Sequence, residues 1–459
     1  MHPSIRPALS IPFACLTLLS QPIMALTLHV AQEILLRDNP DLSVLRLEVE
    51  RAEAQVQESQ AAWFPSLDAI ASYSYTSETP HLKLDLPFPP PDGTHLNRAL
   101  GDHDKVELGV DATYPLFTGM TRGRNIAAKR AGVELRQAQW QGAKNQMSFK
   151  LGALYSAWQM AAAQAGYQEK VLGYSKDLEK QIQDFVRAGT AVRSRSLAAT
   201  AKSRATEVDL LSSQNTRDSL ALEMFHFLGG KELGSKVLSG KELGNGALSA
   251  SRLFPEISMD TTAPTTPNWD GVNSSSLNRP EAEALDKGVE QAEYGVQALA
   301  GQRWPQVYGM AGLRYANPGL DLAGDEFMPY GLVAVQLKWN LFDGTKNSAQ
   351  RKQLDITARE LSEQKRKLEQ EWSKSILTAR LQYSKWNAQY LAAEASRDAA
   401  EAASADLRRQ FDEGVATGVE WLEARNNQAR AELTMDQARI MQRLALLQWE
   451  YAVGKELRF

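Results

Sequence analysis

The chain is nearly free of cysteine and has only six histidines among its 459 residues. Its one cysteine, Cys15, lies in an apolar stretch near the N-terminus. Disulfide frameworks, thiolate zinc sites, iron–sulfur clusters and cysteine nucleophiles are therefore excluded from the rest of the chain. The common catalytic and nucleotide-binding patterns HExxH, GxSxG and GxxxxGK[ST] do not occur. We therefore expect no enzyme activity, no catalytic residue, no cofactor and no metal site.

The chain also lacks an excess of basic residues and any long apolar run. Lys and Arg number 51 against 55 Asp and Glu, so the net charge is −4. A nucleic-acid-binding protein normally carries a basic face, and no nucleic-acid partner is expected. Beyond residue 26 no charge-free apolar run reaches the roughly 18 residues that indicate a transmembrane helix. A membrane location would then require a closed β-barrel, because only helices and closed barrels satisfy their backbone polar groups in lipid.

The first residues have the layout of a secretory signal. Arg6 precedes the apolar stretch LSIPFACLTLL at residues 9–19, which is too short to span a bilayer. The small residue Ala25 marks the predicted cleavage position, and the exact site is left open. We predict that residues 1–25 are a signal peptide; a buried N-terminal helix is the alternative.

The sequence contains two tandem copies of one pattern. Pro40 and Pro65 correspond to Pro280 and Pro305, both at an offset of 240 positions. An offset of 225 positions relates Phe117, Gly119, Gly189 and Gly229 to Phe342, Gly344, Gly414 and Gly454. Constant offsets on each side of one break are typical of an internal repeat. The difference of 15 residues lies between Pro65 and Phe117, and we expect it in a loop at residues 76–105.

Each copy contains segments in which apolar and polar residues alternate. Val106, Leu108 and Val110 alternate with polar residues in the first copy, as Val333 and Val335 do in the second. Alternation with a period of two over about ten residues, ending in aromatic residues, is typical of a transmembrane barrel strand. A half-buried sheet of a soluble protein would explain the strands alone equally well.

Long helices follow these strands. Residues 345–413 contain neither glycine nor proline, which predicts one helix roughly 100 Å long. Trp372, Ala379 and Trp386 recur every seven residues, a spacing that indicates coiled-coil packing. The corresponding helix of the first copy carries six interior glycines, each costing about 1 kcal/mol relative to alanine. We expect that helix to be locally more pliable.

These patterns define the predicted organisation. The first repeat spans residues 26–229, with a helix at 41–64, a β-hairpin at 66–117, a long helix at 119–187 and a return helix at 194–228. An equatorial linker is predicted at residues 230–278. The second repeat spans residues 279–454, with a helix at 281–303, a β-hairpin at 306–342, a long helix at 345–413, a return helix at 419–453 and a C-terminal tail at 455–459.

The order of these features resembles that of the TolC-like outer membrane efflux protein family. The shared features are the signal peptide, the tandem copies, a proline before the first strand, the sequence PLFTG or NLFDG before each long helix, and the glycine turns. The resemblance implies a mainly α fold with a small β portion. Long antiparallel coiled-coil helices would form a periplasmic α-barrel. Four strands per chain would contribute to a trimeric, twelve-stranded outer membrane β-barrel.

The same resemblance implies a function and partners. The chain would be an outer membrane channel-tunnel, the passive exit duct of a tripartite efflux pump that exports small molecules. Its partners would be two further copies of itself, a periplasmic adaptor protein, an inner-membrane pump and outer membrane lipid. The exit duct of a type I protein secretion system remains an alternative, and a periplasmic coiled-coil scaffold without a pore is an alternative of another class.

The resemblance also assigns residues at the helix tips. Carboxylates at the positions of Glu420 and Glu423 ring the closed periplasmic entrance in the family; the alternative is an ordinary helix N-terminus, where the helix dipole favours glutamate. The family often has an acidic residue at the position of Arg195, which Arg193 precedes by two residues. These cations could pair with the glutamates of the predicted pore constriction or could mark a different adaptor interface. The predicted adaptor-contact tips are Gly189, Thr190, Ala191, Val192, Gly414, Val415, Ala416, Thr417 and Gly418.

Overall fold

The computed structural model describes residues 26–79, 81–85, 95–99, 103–229, 279–320 and 326–459. The predicted signal peptide and the predicted equatorial linker lie outside the described residues. The chain divides into two compact units. The first unit comprises Met1–Asp41, Lys144–Ser274 and Trp372–Phe459, and the second comprises Leu42–Ala143 and Ser275–Glu371.

Helices make up most of the described residues. They are α1 Leu28–Asp38, α2 Pro40–Ala61, α3 Thr121–Arg187, α4 Arg193–Phe227, α5 Pro280–Gly301, α6 Lys346–Asp412 and α7 Gly418–Ala452. The long helices and return helices begin and end within two residues of their predicted bounds. Helix α1 has no counterpart in the predicted organisation; Thr27 caps it by accepting a hydrogen bond from the backbone N of Val30 at 3.4 Å.

Among the described helices, none is both long enough and apolar enough to cross a membrane.

The two copies share their turn geometry. The positive φ angles are 62° at Gly119, 75° at Gly189, 82° at Gly229, 65° at Gly344, 77° at Gly414 and 74° at Gly454. Glycine is favoured at such angles because it has no Cβ. The same pair of backbone hydrogen bonds closes each helix-to-helix turn, accepted by the carbonyl oxygen of Phe185 after α3 and of Gln410 after α6. The repeated sequence thus ends each long helix in the same way.

The strands form two separate sheets. They are β1 Ser66–Tyr75, β2 His81–Asp85, β3 His95–Ala99, β4 Asp104–Phe117, β5 Gln306–Asn317 and β6 Met328–Lys338. The main sheet is antiparallel with the order β1–β4–β5–β6, so that β4 and β5 join the two copies. One of its faces exposes apolar side chains such as Leu67, Leu313 and Val335. The opposite face carries Asp111 and Arg314.

The predicted loop at residues 76–105 contains a second β-hairpin. Strands β2 and β3 pair antiparallel and form a two-stranded sheet of their own. The prediction of a loop was therefore wrong over these residues. The sequence HLKLD of β2 alternates leucine with polar residues, a strand signal that the neighbouring prolines obscured. Those prolines, at positions 87 and 89–91, lie outside the described residues.

Three glycines of α3 lie against side chains of neighbouring helices. A Cβ at Gly132 would lie 3.2 Å from the Nε2 atom of Gln291, and a Cβ at Gly142 would lie 3.2 Å from the Cγ atom of Glu281. A Cβ at Gly152 would collide with the side chain of Leu447. These glycines therefore permit close helix packing, and the predicted pliability of the helix stays a prediction.

The core of the first unit brings α1 and the last residues of the chain together. Leu35 of α1, Leu151 of α3 and Met224 of α4 are fully buried in one apolar cluster. The buried side chain of Gln32 donates from Nε2 to the carbonyl oxygen of Leu457 at 2.6 Å. The predicted C-terminal tail is thus docked on α1, which explains why a helix forms ahead of α2.

Candidate functional site

The candidate site consists of the α3–α4 turn and the α6–α7 turn, both in the first unit. A Cβ at Gly418 would lie 2.6 Å from the Oε1 atom of Gln181, so the start of α7 lies beside the end of α3. Apolar side chains are exposed at both turns; they are Phe185, Val192, Leu197, Val415 and Val419. Val415 is 75% exposed and Val192 is 62% exposed. Exposed apolar groups gathered in one place are typical of a contact surface.

Glu420 closes a capping box at the start of α7. Its carboxylate oxygen Oε2 accepts hydrogen bonds from the backbone N of Thr417 at 2.8 Å and from the Thr417 hydroxyl at 2.9 Å. The Thr417 hydroxyl oxygen in turn accepts from the backbone N of Glu420 at 3.3 Å. The two bonds from Thr417 hold the pKa of Glu420 below its ordinary value, because they favour the charged carboxylate. In a single chain Glu420 therefore has the role of a helix N-terminal residue.

The other three predicted constriction residues are exposed at the same tip. Glu423 lies one turn after Glu420 on α7, a spacing that places both on one face of the helix. Arg193 is the first residue of α4, and Arg195 lies within its first turn. Among the described residues of one chain, no ion pair joins either arginine to either glutamate. The pairing of arginine with glutamate stays a prediction.

A stack of aromatic rings and guanidinium groups supports the start of α7, and the sequence reasoning did not single it out. The Trp421 ring stacks on Phe411 with centroids 5.3 Å apart. The guanidinium carbons of Arg408 and Arg425 lie 4.6 and 5.1 Å from the Trp421 ring centroid, and Arg425 lies 4.3 Å from that of Tyr174. Each such contact contributes roughly 0.5–1 kcal/mol at an exposed site. The spacing of four residues between Trp421 and Arg425 was the sequence signal that could have indicated their contact, because side chains four positions apart on a helix are neighbours.

The capping box gives a first prediction. Thr417→Ala is expected to destabilise the start of α7 by about 1 kcal/mol, because it removes the hydroxyl that donates to the Glu420 carboxylate and accepts from the Glu420 backbone N. Glu420→Gln is expected to have a smaller effect, since a glutamine oxygen can still accept from the Thr417 backbone N. Hydrogen exchange of the first amides of α7 measures the difference; equal exchange rates in the two variants would contradict it.

The same measurement has a defined pH dependence. Because the pKa of Glu420 is lowered in the folded chain, its contribution to stability is present above the unfolded pKa. It is lost as the pH falls through the folded pKa. After correction for the intrinsic exchange rate, the protection of these amides should therefore fall in acid, and Glu420→Gln should abolish this pH dependence.

Comparison with known families gives a match over most of the chain. A sequence model of the family described as outer membrane efflux protein matches residues 31–230 and 272–454. The two matched ranges fall on the two predicted repeats. A search of curated protein sequences finds no match.

Solved structures of bacterial outer membrane channels have a similar fold. The CmeC outer membrane channel of Campylobacter jejuni is 15% identical, with a TM-score of 0.71 and coverage of 98% of this chain and 95% of that chain. The outer membrane protein VceC of Vibrio cholerae is 16% identical, with a TM-score of 0.67 and coverage of 93% and 96%. The open-state MtrE channel of Neisseria gonorrhoeae is 15% identical, with a TM-score of 0.68 and coverage of 94% and 89%. At these identities the likeness shows the fold alone.

Proposed function

Because this chain belongs to the outer membrane efflux protein family, we propose that it works as a homotrimer in which three four-stranded sheets close one β-barrel. The chain is an outer membrane channel that serves as the passive exit duct of a tripartite efflux pump. The observation that carries the trimer is the main sheet, in which β1 and β6 each pair on one side only among the described strands. Unpaired strand edges are not tolerated in lipid, and bacterial barrels begin at eight strands.

The two faces of the main sheet support this assignment. Its apolar face exposes Val333 to 84% and Leu313 to 72%, which is far more than a soluble sheet leaves uncovered. Lipid covers this face in a barrel, and the polar face then lines the lumen. Pairing of β6 of one chain with β1 of the next would satisfy both edges.

Helical faces of the first unit support contact between chains. Val208 and Leu211 of α4 are 65% and 57% exposed, and their spacing of three residues places them on one face. Leu377 and Leu381 of α6 are 62% and 71% exposed, at a spacing of four residues. Neighbouring chains of the trimer would bury these stripes, so that the helices form the wall of a periplasmic α-barrel.

The tips would complete the assembly at the periplasmic end. The exposed turns that carry Val192 and Val415 would contact the adaptor protein, which links the duct to the inner-membrane pump. Glu420 and Glu423 of three chains would meet near the threefold axis and form the pore constriction. Arg193 and Arg195 would pair with them between chains, since they have no such partner among the described residues of one chain.

Extraction and conductance test the proposal. The chain should be released from membranes by detergent and not by salt or osmotic shock, and native mass spectrometry should show a trimer. The purified trimer should form ion-conducting pores in planar bilayers. A monomer released by salt would overturn the assignment in favour of a scaffold. Co-purification after cross-linking in cells would identify the pump class and so separate small-molecule efflux from protein secretion.

The second hairpin provides a further prediction. Replacing residues 79–101 by a short Gly/Ser linker should leave a detergent-stable trimer, because β2 and β3 pair only with each other among the described strands. The same segment should be cut by protease on intact cells if it lies outside the cell. Val110→Pro in β4 is the control, since a proline in a central strand removes a ladder hydrogen bond and should abolish the trimer. Loss of the trimer on deletion of the hairpin would contradict the prediction.

A further inference from the structure

Arg314 of β5 makes a three-point contact with two carboxylates of β4. Its Nε atom donates to Oε1 of Glu107 at 2.6 Å. Its Nη2 atom donates to Oδ2 of Asp111 at 2.6 Å, and Nη1 donates to the other oxygen of that carboxylate. A bidentate pair of this kind fixes the orientation of the guanidinium plane. The contact also joins the two sequence repeats within one chain, because Glu107 and Asp111 lie in the first repeat and Arg314 lies in the second.

Two glycines leave room for the guanidinium on the sheet surface. A Cβ at Gly109, the cross-strand neighbour of Arg314, would lie 2.7 Å from Nη1 and 2.8 Å from Cδ of the arginine. A Cβ at Gly312 would lie 2.5 Å from Oδ1 of Asp111 and 3.3 Å from Nη1 of Arg314. The arginine side chain therefore lies along the wall instead of standing out from it.

The charges near Arg314 nearly balance. Asp68 lies directly opposite Asp111 in the register of β1 and β4, so the two carboxylates share the polar face. Lys105 lies 3.0 Å from Glu107 on the same face. Three carboxylates and two cations thus leave one net negative charge per chain in this part of the sheet. Without Arg314 that charge would double.

We propose that Arg314, held by Glu107 and Asp111, is a specificity-determining residue of the duct, which sets the charge of the barrel lumen and hence its preference between cationic and anionic cargo. The inference rests on the proposed trimeric barrel, in which the polar face lines the lumen. Three copies of the group surround the lumen, where the low-dielectric wall strengthens the effect of each charge. With Arg314 present the lumen is weakly negative, and cationic cargo passes without being retained.

Engineered cysteines can measure this local charge independently of the periplasmic entrance. The only natural cysteine is Cys15, which is replaced by serine. Ser72 lies opposite Glu107 on the polar face, and Ala69 lies on the apolar face. Ser72→Cys is therefore the lumen probe, and Ala69→Cys is the lipid-face control. Each is treated with a cationic and an anionic methanethiosulfonate of similar size from the extracellular side, and the ratio of the two reaction rates is recorded.

Arg314→Gln should raise the cation-to-anion rate ratio at Ser72→Cys by about three- to tenfold, because one unit charge is lost at short range in each chain. Glu107→Gln with Asp111→Asn should lower it by a larger factor, because two unit charges are lost and Glu107 lies directly opposite Ser72. Arg314→Lys should keep the ratio close to the wild-type value. Lys338→Gln is the control, because it removes one positive charge from the same face at a distance of roughly 30 Å from Arg314 along the strand direction. This separation exceeds the screening length, so the rate ratio at Ser72→Cys should change little.

The cysteine reactions distinguish a failure of the proposed role of Arg314 from a failure of the proposed barrel. Reaction at Ala69→Cys without reaction at Ser72→Cys would overturn the assignment of the two faces and with it the barrel. Reaction at Ser72→Cys with the same rate ratio in all variants would leave the barrel intact and overturn the role of Arg314. Arg314→Gln and the pair Glu107→Gln with Asp111→Asn change the charge in opposite directions. If one of these variants fails to yield a detergent-stable trimer, the other still tests the role of Arg314.

Discussion

Gly119→Ala is expected to destabilise the chain by on the order of 3–5 kcal/mol, whereas the matched Gly344→Ala should cost only about 1 kcal/mol. Both glycines precede a long helix and have nearly the same φ, 62° and 65°. The cost of placing a Cβ at positive φ is therefore shared. The difference lies in the surroundings, since a Cβ at Gly119 would collide with the carbonyl oxygen of Gly301. A Cβ at Gly344 would meet no atom within 4 Å among the described residues beyond its chain neighbours.

The close approach at Gly119 joins the two copies within the second unit. A Cβ at Gly301 would itself lie 2.6 Å from Oγ1 of Thr121, and this hydroxyl donates to the carbonyl oxygen of Ala298 at 3.3 Å. The end of α5 and the start of α3 thus meet through backbone atoms, and neither can move away without losing this contact. Gly301→Ala should therefore resemble Gly119→Ala and not Gly344→Ala.

The yield of detergent-stable trimer and its thermal unfolding measure this difference. Gly119→Ala should give little trimer, and Gly344→Ala should give nearly the wild-type yield with a slightly lower melting temperature. Equal losses for the two variants would mean that backbone strain alone decides the outcome. The collision with Gly301 would then be relieved by a shift of α5.

Local sequence signals predicted the helices and their turns accurately. The bounds of α6 and α7 follow from residues 345–413 and 419–453, which contain neither glycine nor proline, and from Gly414 between them. Such signals act within a few residues and need no knowledge of the rest of the chain. Helix α1 was missed because its stability comes from distant partners, such as Leu151 of α3.

The features that escaped prediction depend on contacts between distant segments. Arg314 contacts Asp111 because β4 pairs with β5 in one particular register, and no local pattern fixes that register. The packing role of Gly152 depends on Leu447, which is almost three hundred positions away in the sequence. The capping box of Glu420 is an exception, since its local pattern Thr-x-x-Glu at residues 417–420 was present in the sequence and was not used.

The tip glutamates are expected to govern ion selectivity at the entrance. Glu420→Gln combined with Glu423→Gln should lower the cation-to-anion permeability ratio in planar bilayers by roughly threefold or more, and should weaken block by divalent and trivalent cations. Three chains would bring six carboxylates into one constriction, and crowding of like charges there opposes their ionisation. The hydrogen bonds from Thr417 act in the other direction, because they hold the pKa of Glu420 low and keep it charged.

The double glutamine variant isolates the charge from the fold. Glutamine at position 420 can retain the bond from the Thr417 backbone N, so the start of α7 stays in place while the ring loses its charge. Glu413→Gln, which removes an exposed carboxylate at the end of α6, is the control and should alter selectivity less. Arg195→Ala should raise the open conductance if the arginine holds the entrance shut by pairing with the ring. Unchanged selectivity and unchanged cation block in the double variant would leave Glu420 and Glu423 as ordinary helix N-terminal charges.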